Sequence, residues 1–155
     1  MLKILVVDDS LIIRRNIARM LERMNHEVVA EAKNGNEAVV CFSKYNPDLM
    51  TMDITMPDMD GVEAVKGIKK KNADAKIIMV TSHGQEAMVI AAIKAGASGY
   101  VLKPVTAEKL SKAIQKIFPT GHVARKEKSP EDDDVMLQQN NDDDDWLQDL
   151  DHVEI

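Results

Sequence analysis

The stretch KILVVDDS, residues 3–10, places two adjacent aspartates directly after a run of aliphatic residues. Residues 4–7 form a continuous apolar run, which is typical of a strand that is buried on both faces of a parallel sheet. Asp8 and Asp9 then stand at the carboxyl end of that strand. Two negative charges at the end of a buried strand suggest that other strands complete a polar site around them.

Strand patterns and helical patterns alternate along the rest of the chain. Strands are predicted at about residues 2–7, 27–32, 48–52, 76–80 and 99–102, and helices at about 11–24, 35–45, 61–71, 85–95 and 106–118. Asn34, Asp60 and Thr106 suit helix N-caps, and Pro119 with Gly121 closes the last helix. Strict alternation predicts an α/β fold, with a parallel sheet covered by helices on both faces.

Length and composition exclude several classes of protein. A chain of 155 residues holds one domain with room for an appendage. Cys41 is the only cysteine, so neither a disulfide framework nor a thiolate metal site is expected, and a reducing cytoplasm suits the protein. The sequence shows no apolar run long enough to span a membrane and no secretion signal. We therefore expect a cytoplasmic protein.

The net charge of -6 is unevenly distributed and divides the chain in two. Residues 1–118 carry 17 basic and 14 acidic residues, whereas residues 119–155 carry 3 and 12. We predict a folded domain over 1–118 and an acidic, largely disordered tail over 119–155. Near residues 145–154 a short amphipathic helix is an alternative, because four apolar residues recur there at helical spacing: Trp146, Leu147, Leu150 and Val153. That helix would fold on a partner or on the basic domain.

Polar residues follow four of the five predicted strands. Asp53 follows the third strand, Thr81 and Ser82 follow the fourth, and Lys103 follows the fifth. In doubly wound sheets, ligands bind outside the carboxyl ends of the strands. We therefore expect these side chains to form one site with the aspartates of the first strand. The second strand ends in Lys33 and Asn34, which suggest no such role.

The charges of this predicted site indicate phosphoryl chemistry. Carboxylates about 5 Å apart repel each other by roughly 3 kcal/mol at an effective dielectric near 20, so they need a raised pKa or a cation. An all-oxygen cluster suits Mg²⁺. Lys103 and Thr81 would stabilise a phosphoryl group, and Asp53 is the natural acceptor. Taken singly, the aspartates after the first strand have another reading, because Asp8, Asp9 or Ser10 would suit the N-cap of the first helix.

Four motifs resemble the receiver domain of two-component response regulators. They are VVDDS (6–10), MDITMPDMDG (52–61), VTS (80–82) and VLKP (101–104). The stretch at residues 81–104 is similar to the stand-alone chemotaxis-regulator type. The resemblance covers residues 1–118. It implies a flavodoxin-like (βα)5 fold with the strand order 2-1-3-4-5.

The resemblance implies a role for each residue at the acidic end of the site. Asp53 would accept a phosphoryl group from a phosphohistidine on a sensor histidine kinase or a phosphotransfer protein. Mg²⁺ would be held by Asp8, Asp9 and Asp53 together with the backbone carbonyl of Thr55. Such a protein catalyses only its own phosphorylation and dephosphorylation, so we do not expect an enzyme that acts on an external substrate.

The resemblance also implies which residues transmit the signal. Thr81 and Lys103 would contact the phosphoryl group, and the rotamer of Tyr100 would follow the change. Thr55 and His83 would tune the phosphoryl lifetime. A downstream protein would bind the surface of helix 4, strand 5 and helix 5. Lys103 and Pro104 resemble a cis peptide of the family.

Three other functional classes fit the sequence less well. An aspartate-nucleophile phosphatase needs a second acid two residues after the nucleophile, where this chain has Thr55. A DNA-binding regulator needs an output domain after residue 118, but no helix-turn-helix follows and an acidic tail repels phosphates. A flavin-binding domain needs a hydroxyl- and glycine-rich phosphate loop after the first strand, whereas this chain has the stretch DDSLIIRR, residues 8–15, which begins with two negative charges. We expect a signalling module that binds proteins and neither nucleic acid nor membranes.

Overall fold

The computed structural model describes residues 1–119, in which five strands alternate with five helices. The strands are β1 (Lys3–Val7), β2 (Glu27–Ala32), β3 (Leu49–Asp53), β4 (Ile77–Thr81) and β5 (Gly99–Leu102). The helices are α1 (Leu11–Arg23), α2 (Gly35–Tyr45), α3 (Gly61–Lys71), α4 (Glu86–Ala95) and α5 (Ala107–Ile117). Every predicted element is therefore confirmed, because no boundary differs from its predicted position by more than one residue.

The strands form one parallel sheet in the order β2-β1-β3-β4-β5. This order confirms the flavodoxin-like, doubly wound fold. The chain runs from β1 to β2 on one side and returns to β3 on the other, so the direction of winding reverses between β1 and β3. Val7 pairs with Met52 there, and Asp53 pairs with Val80. Since ligands bind at such a reversal, the ends of β1 and β3 lie at the centre of the candidate site.

Two apolar clusters hold helices against the two faces of the sheet. One contains side chains from α2, α3 and α4, among them Phe42, Val65 and Val89. The other contains side chains from α1 and α5, among them Leu21 and Ile114. All residues of β3 and β4 are buried, which explains why these interior strands appear in the sequence as continuous apolar runs. The edge strand β2 is mostly half-buried.

Short polar side chains cap four of the five helices of the described chain. Asn34, Asp60 and Thr106 accept hydrogen bonds from backbone N–H groups three residues later, at 2.7, 2.8 and 3.2 Å. These three predicted caps are confirmed. Ser10 Oγ accepts from Ile13 N at 3.3 Å and so caps α1. This result resolves the alternative for the first helix, because Ser10 is its N-cap and the aspartates before it are available to the site.

The last described helix, α5, ends at Ile117, with Phe118 as its C-cap. None of the helices in residues 1–119 is both long enough and apolar enough to cross a lipid bilayer. The predicted closing residue Gly121 lies outside the described residues. So does the predicted helix near 145–154, with Trp146, Leu147, Leu150 and Val153, and both remain predictions.

Candidate functional site

Three aspartate side chains meet at the carboxyl ends of β1 and β3. One carboxylate oxygen from each of Asp8, Asp9 and Asp53 lies within 4.8 Å of the others. Asp8 is fully buried, Asp53 is 6% exposed, and Asp9 is exposed to solvent. The sheet therefore brings together the acidic residues that the sequence predicted would share a site.

Asp8 has one satisfied and one unsatisfied carboxylate oxygen. Its Oδ1 accepts a hydrogen bond from Ser10 N at 2.9 Å. Its Oδ2 is buried and has no hydrogen-bond partner in the described part of the chain. Burial raises the pKa of Asp8 above its ordinary value, and the negative charge of Asp53 raises it further. A buried oxygen without a partner is costly, so this atom has the environment of a ligand for a cation.

Asp53 lies between the acidic pair and a lysine. Lys103 Nζ is 3.5 Å from Asp53 Oδ2, and the backbone N–H of Thr55 donates to Asp53 Oδ1 at 3.4 Å. Burial raises the pKa of Asp53 above its ordinary value, although the positive charge of Lys103 acts in the opposite direction. The Lys103–Pro104 peptide bond is cis, as the resemblance implied. Asp53 thus has contacts with both the positive and the negative parts of the site.

Thr81 is the last residue of β4, so its hydroxyl group lies at the same edge of the sheet. Its side chain is fully buried, and its Oγ1 donates a hydrogen bond to Gln85 Oε1 at 2.8 Å. The backbone N–H of Lys103 donates to the carbonyl of Thr81 at 2.7 Å, which fixes β5 beside β4 at this point. Thr81 is therefore part of the site, and its hydroxyl is engaged with a residue that the sequence analysis did not identify.

Gln85 links two loops of the site. Its Oε1 accepts from Thr81 Oγ1 and from Ser82 N, each at 2.8 Å, and its Nε2 donates to Thr55 Oγ1 at 2.6 Å. One feature of the sequence points to this residue. Gln85 occupies the N-cap position of α4, where Ser, Thr, Asp or Asn is usual, and its side chain makes no capping bond.

The other predicted residues border the site. Thr55 and His83 are both exposed, in the loops that follow β3 and β4. Tyr100 lies in β5, paired with Met79, and packs partly buried against the cluster that includes α4. Tyr100 therefore lies on the face of the sheet that α2, α3 and α4 cover.

Asp58, in the loop after β3, positions that loop and is not a member of the acidic cluster. The carboxylate of Asp58 accepts hydrogen bonds from Gly35 N and Asn36 N, both at 3.1 Å. These bonds join the loop to the start of α2 and lower the pKa of Asp58. A Cβ atom at Gly61 would lie 2.8 Å from Ile54 Cα, so α3 begins in close contact with the residue after Asp53.

The residues of the site fit a hard divalent cation. The carboxylates of Asp8, Asp9 and Asp53 cluster together, and the ammonium group of Lys103 contacts Asp53, so negative charge is in excess. At about 5 Å each carboxylate pair repels by roughly 3 kcal/mol at an effective dielectric near 20. Oxygen ligands and the unsatisfied Asp8 Oδ2 suit Mg²⁺, which binds few protein ligands and keeps several waters.

Comparison with known sequences agrees with this geometry. The family described as response regulator receiver domain matches residues 4–115. The chemotaxis protein CheY of Bacillus subtilis is 49% identical over 114 residues, which cover 74% of this chain and 95% of that protein. CheY of Thermotoga maritima is 43% identical over 115 residues, 74% of this chain and 96% of that protein.

Comparison with solved structures also finds receiver domains. A response regulator receiver domain protein from Clostridium thermocellum superposes with a TM-score of 0.72 at 34% identity, covering 80% of this chain and 99% of that one. The CheX-CheY-BeF3-Mg complex from Borrelia burgdorferi matches with a TM-score of 0.71 at 29% identity, covering 75% of this chain and 88% of that one.

Proposed function

This chain belongs to the response regulator receiver-domain family, and from this premise we propose that it is a single-domain switch phosphorylated on Asp53. The phosphoryl donor is a sensor histidine kinase or a phosphotransfer protein. The phosphorylated protein changes its contacts with a downstream protein, in chemotaxis or a similar phosphorelay. The observation that carries the proposal is the position of Asp53, with Lys103 Nζ at 3.5 Å on one side and two further carboxylates on the other.

The chemistry follows from the groups around Asp53. A carboxylate oxygen of Asp53 forms a bond to phosphorus while the bond from phosphorus to the donor's imidazole nitrogen breaks, and that electron pair stays on the nitrogen. The ammonium group of Lys103 neutralises negative charge on the phosphoryl oxygens. Water later attacks phosphorus, the bond from phosphorus to the Asp53 oxygen breaks, and inorganic phosphate leaves as the carboxylate is restored. Thr55 and His83 border this region and would tune the rate of that second step.

Mg²⁺ is the proposed cofactor. The carboxylates of Asp8, Asp9 and Asp53, with the backbone carbonyl of Thr55, would hold it. When bound, it supplies positive charge to the phosphoryl oxygens in the transition state. The unsatisfied Asp8 Oδ2 supports this assignment, and so does the Borrelia neighbour, which was solved with BeF3 and Mg.

The proposed output is a change of protein contacts. Phosphorylation adds about -1.5 to -2 charge and strong acceptor oxygens. Thr81 and Lys103 would bond to the new oxygens, and Tyr100 would follow. The surface of α4, β5 and α5 would then bind the target. We propose a cytoplasmic protein that binds neither nucleic acid nor membranes and does not turn over an external substrate. Trp146, Leu150 and Val153 of the tail would add a contact to a partner or to the domain.

The test is a mass measurement with a matched control. The protein is incubated with Mg²⁺ and a small acyl phosphate, and its intact mass is recorded. We expect one phosphoryl group on the wild type and none on Asp53→Asn. Asp74→Asn changes an exposed aspartate in the turn before β4 and should be labelled like the wild type. Equal labelling of Asp53→Asn would refute the assignment.

A further inference from the structure

The orientation of the Gln85 amide is fixed by its neighbours. The backbone N–H of Ser82 can only donate, so the Gln85 atom 2.8 Å from it must be the carbonyl oxygen. The amino group of Gln85 therefore points at Thr55 Oγ1, 2.6 Å away. Because Gln85 Oε1 can only accept, Thr81 must donate its hydroxyl proton to it across 2.8 Å.

This bond uses the one proton that the Thr81 hydroxyl can donate. A phosphoryl oxygen is also an acceptor, so Thr81 cannot donate to Gln85 and to a phosphoryl group on Asp53 at the same time. The carbonyl of Ser82 is a further acceptor at 3.4 Å, which is a longer contact. Gln85 therefore competes with a phosphoryl group on Asp53 for the hydroxyl proton of Thr81.

The position of Gln85 in α4 supports a role beyond folding. Ser10, Asn34, Asp60 and Thr106 use their side chains to cap the other four helices of the described chain. At the same position of α4 the side chain of Gln85 makes no capping bond and reaches across to the loop after β3. The start of α4 thus lacks a stabilising side-chain cap, and the side chain bonds to Thr55 and Thr81 instead.

We propose that Gln85 is a latch that holds Thr81 and Thr55 in the unphosphorylated arrangement. This inference rests on the proposed function, since it needs Asp53 to be the phosphoryl acceptor. When Thr81 donates its one proton to the phosphoryl group, the Thr81–Gln85 bond breaks, and the start of α4 loses one of the side-chain bonds by which Gln85 holds it to the site. Gln85 is a positioning residue, because it acts on the site through these two threonines.

The experiment uses the full chain with Mg²⁺ and beryllium fluoride as the phosphoryl analogue. NMR resonances of Thr81 and Tyr100 are recorded in the free protein and during titration, with urea unfolding measured in parallel. Gln85→Ala and the similarly sized Gln85→Met remove both sets of bonds. Gln85→Glu keeps an acceptor for Thr81 and Ser82 but removes the donor to Thr55. Gln115→Ala alters an exposed glutamine of α5 and is the control.

The latch predicts a shift of the free protein toward the analogue-bound state. In Gln85→Ala and Gln85→Met the free Thr81 resonances should move toward their analogue-bound positions, and half-saturation should need about five-fold less beryllium fluoride. Gln85→Glu should keep the free wild-type Thr81 resonances, and Gln115→Ala should match the wild type throughout. A merely structural role would lower the urea midpoint without moving Thr81 in this direction.

Two negative results have different meanings. If the wild type responds to the analogue in an Asp53-dependent way but neither Gln85→Ala nor Gln85→Met moves Thr81 or the half-saturation point, the latch is wrong and the proposed function stands. If the wild type itself gives no response with Mg²⁺ and beryllium fluoride, the proposed function is wrong and the latch fails with it.

Discussion

The ends of β1 and β3 and the turn between β4 and α4 border the same site but are held in different ways. At the first, backbone bonds continue the sheet past the strands, from Asp8 N to the Ala32 carbonyl and from Ile54 N to the Val80 carbonyl, at 3.1 and 2.9 Å. At the second, His83 and Gly84 are exposed, and the side-chain bonds of Gln85 span the turn.

The helices α3 and α4, which follow β3 and β4, also differ in burial and in capping. Five residues of α3 are buried, and Asp60 caps it, whereas α4 buries only Val89 and Ala92 and has no side-chain cap. A single hydrogen bond contributes about 1 kcal/mol net, and charge-assisted bonds are roughly twice as strong. New bonds to a phosphoryl group can therefore rearrange the β4–α4 turn while the acidic end keeps its geometry.

The largest predicted effect is on the acidic end and its counter-charge. Lys103→Met removes the ammonium group beside Asp53, so the rate of phosphorylation by a small acyl phosphate should fall about 100-fold. Lys94→Met, which changes an exposed lysine of α4, should leave the rate unchanged. The rate is measured from the gain of mass with time. A Lys103→Met rate equal to that of the wild type would contradict the role of this lysine.

The next effect is on stability without metal. Asp8→Asn removes a buried charge that repels Asp53, so without Mg²⁺ the free energy of unfolding should rise by about 1–3 kcal/mol. Mg²⁺ should stabilise the wild type more than the variant, because the variant has lost a ligand. Urea unfolding with and without Mg²⁺ measures both quantities. A variant less stable than the metal-free wild type would refute the argument.

The gain from Asp8→Asn should also depend on pH. Burial raises the pKa of Asp8 above its ordinary value of 3.8, so the folded protein holds this proton more tightly than the unfolded chain does. The wild type therefore loses stability as the pH rises from the unfolded pKa through the raised folded pKa. The advantage of Asp8→Asn should be absent well below pH 3.8 and should grow above it. An advantage independent of pH would mean that charge is not its cause.

The smallest effect concerns the β4–α4 turn. Gly84 has φ +92°, where a side chain is strained, so Gly84→Ala should lower the free energy of unfolding by about 1 kcal/mol. Gly67 lies within α3, and a Cβ there would only make an ordinary contact with Val39 Cγ2 at 3.6 Å. Gly67→Ala should thus stabilise the protein by about 0.5–1 kcal/mol. If urea unfolding shows that both substitutions change the free energy of unfolding by the same amount, the proposed difference between the regions is wrong.

The sequence predicted the fold and the acidic end of the site for one physical reason. Interior parallel strands are apolar on both faces, so their ends are marked by the first polar residue, as at Asp8, Thr81 and Lys103. Asp53 and Thr81 are themselves the last residues of β3 and β4, one residue beyond the predicted strand ends. Parallel strands bring such residues to one edge of the sheet, which is why their proximity could be inferred before the structure was known.

The contacts of Gln85 and Asp58 could not be inferred in this way. Gln85 bonds to Thr55, 30 residues earlier, and Asp58 bonds to Gly35 and Asn36, 23 and 22 residues earlier. Both contacts depend on how far one loop lies from the next and on a side-chain rotamer. Neither quantity is encoded in strand patterns or in helix capping signals.

The most direct test of the central claim is to locate the phosphoryl group chemically. Protein treated with Mg²⁺ and a small acyl phosphate is reduced with borohydride, which converts a phosphorylated aspartate to homoserine, and the peptides are mapped by mass spectrometry. We predict homoserine at position 53 and unmodified Asp8 and Asp9. Homoserine at either of those aspartates, or a phosphoryl group carried only by histidine, would contradict the assignment of Asp53 as the acceptor.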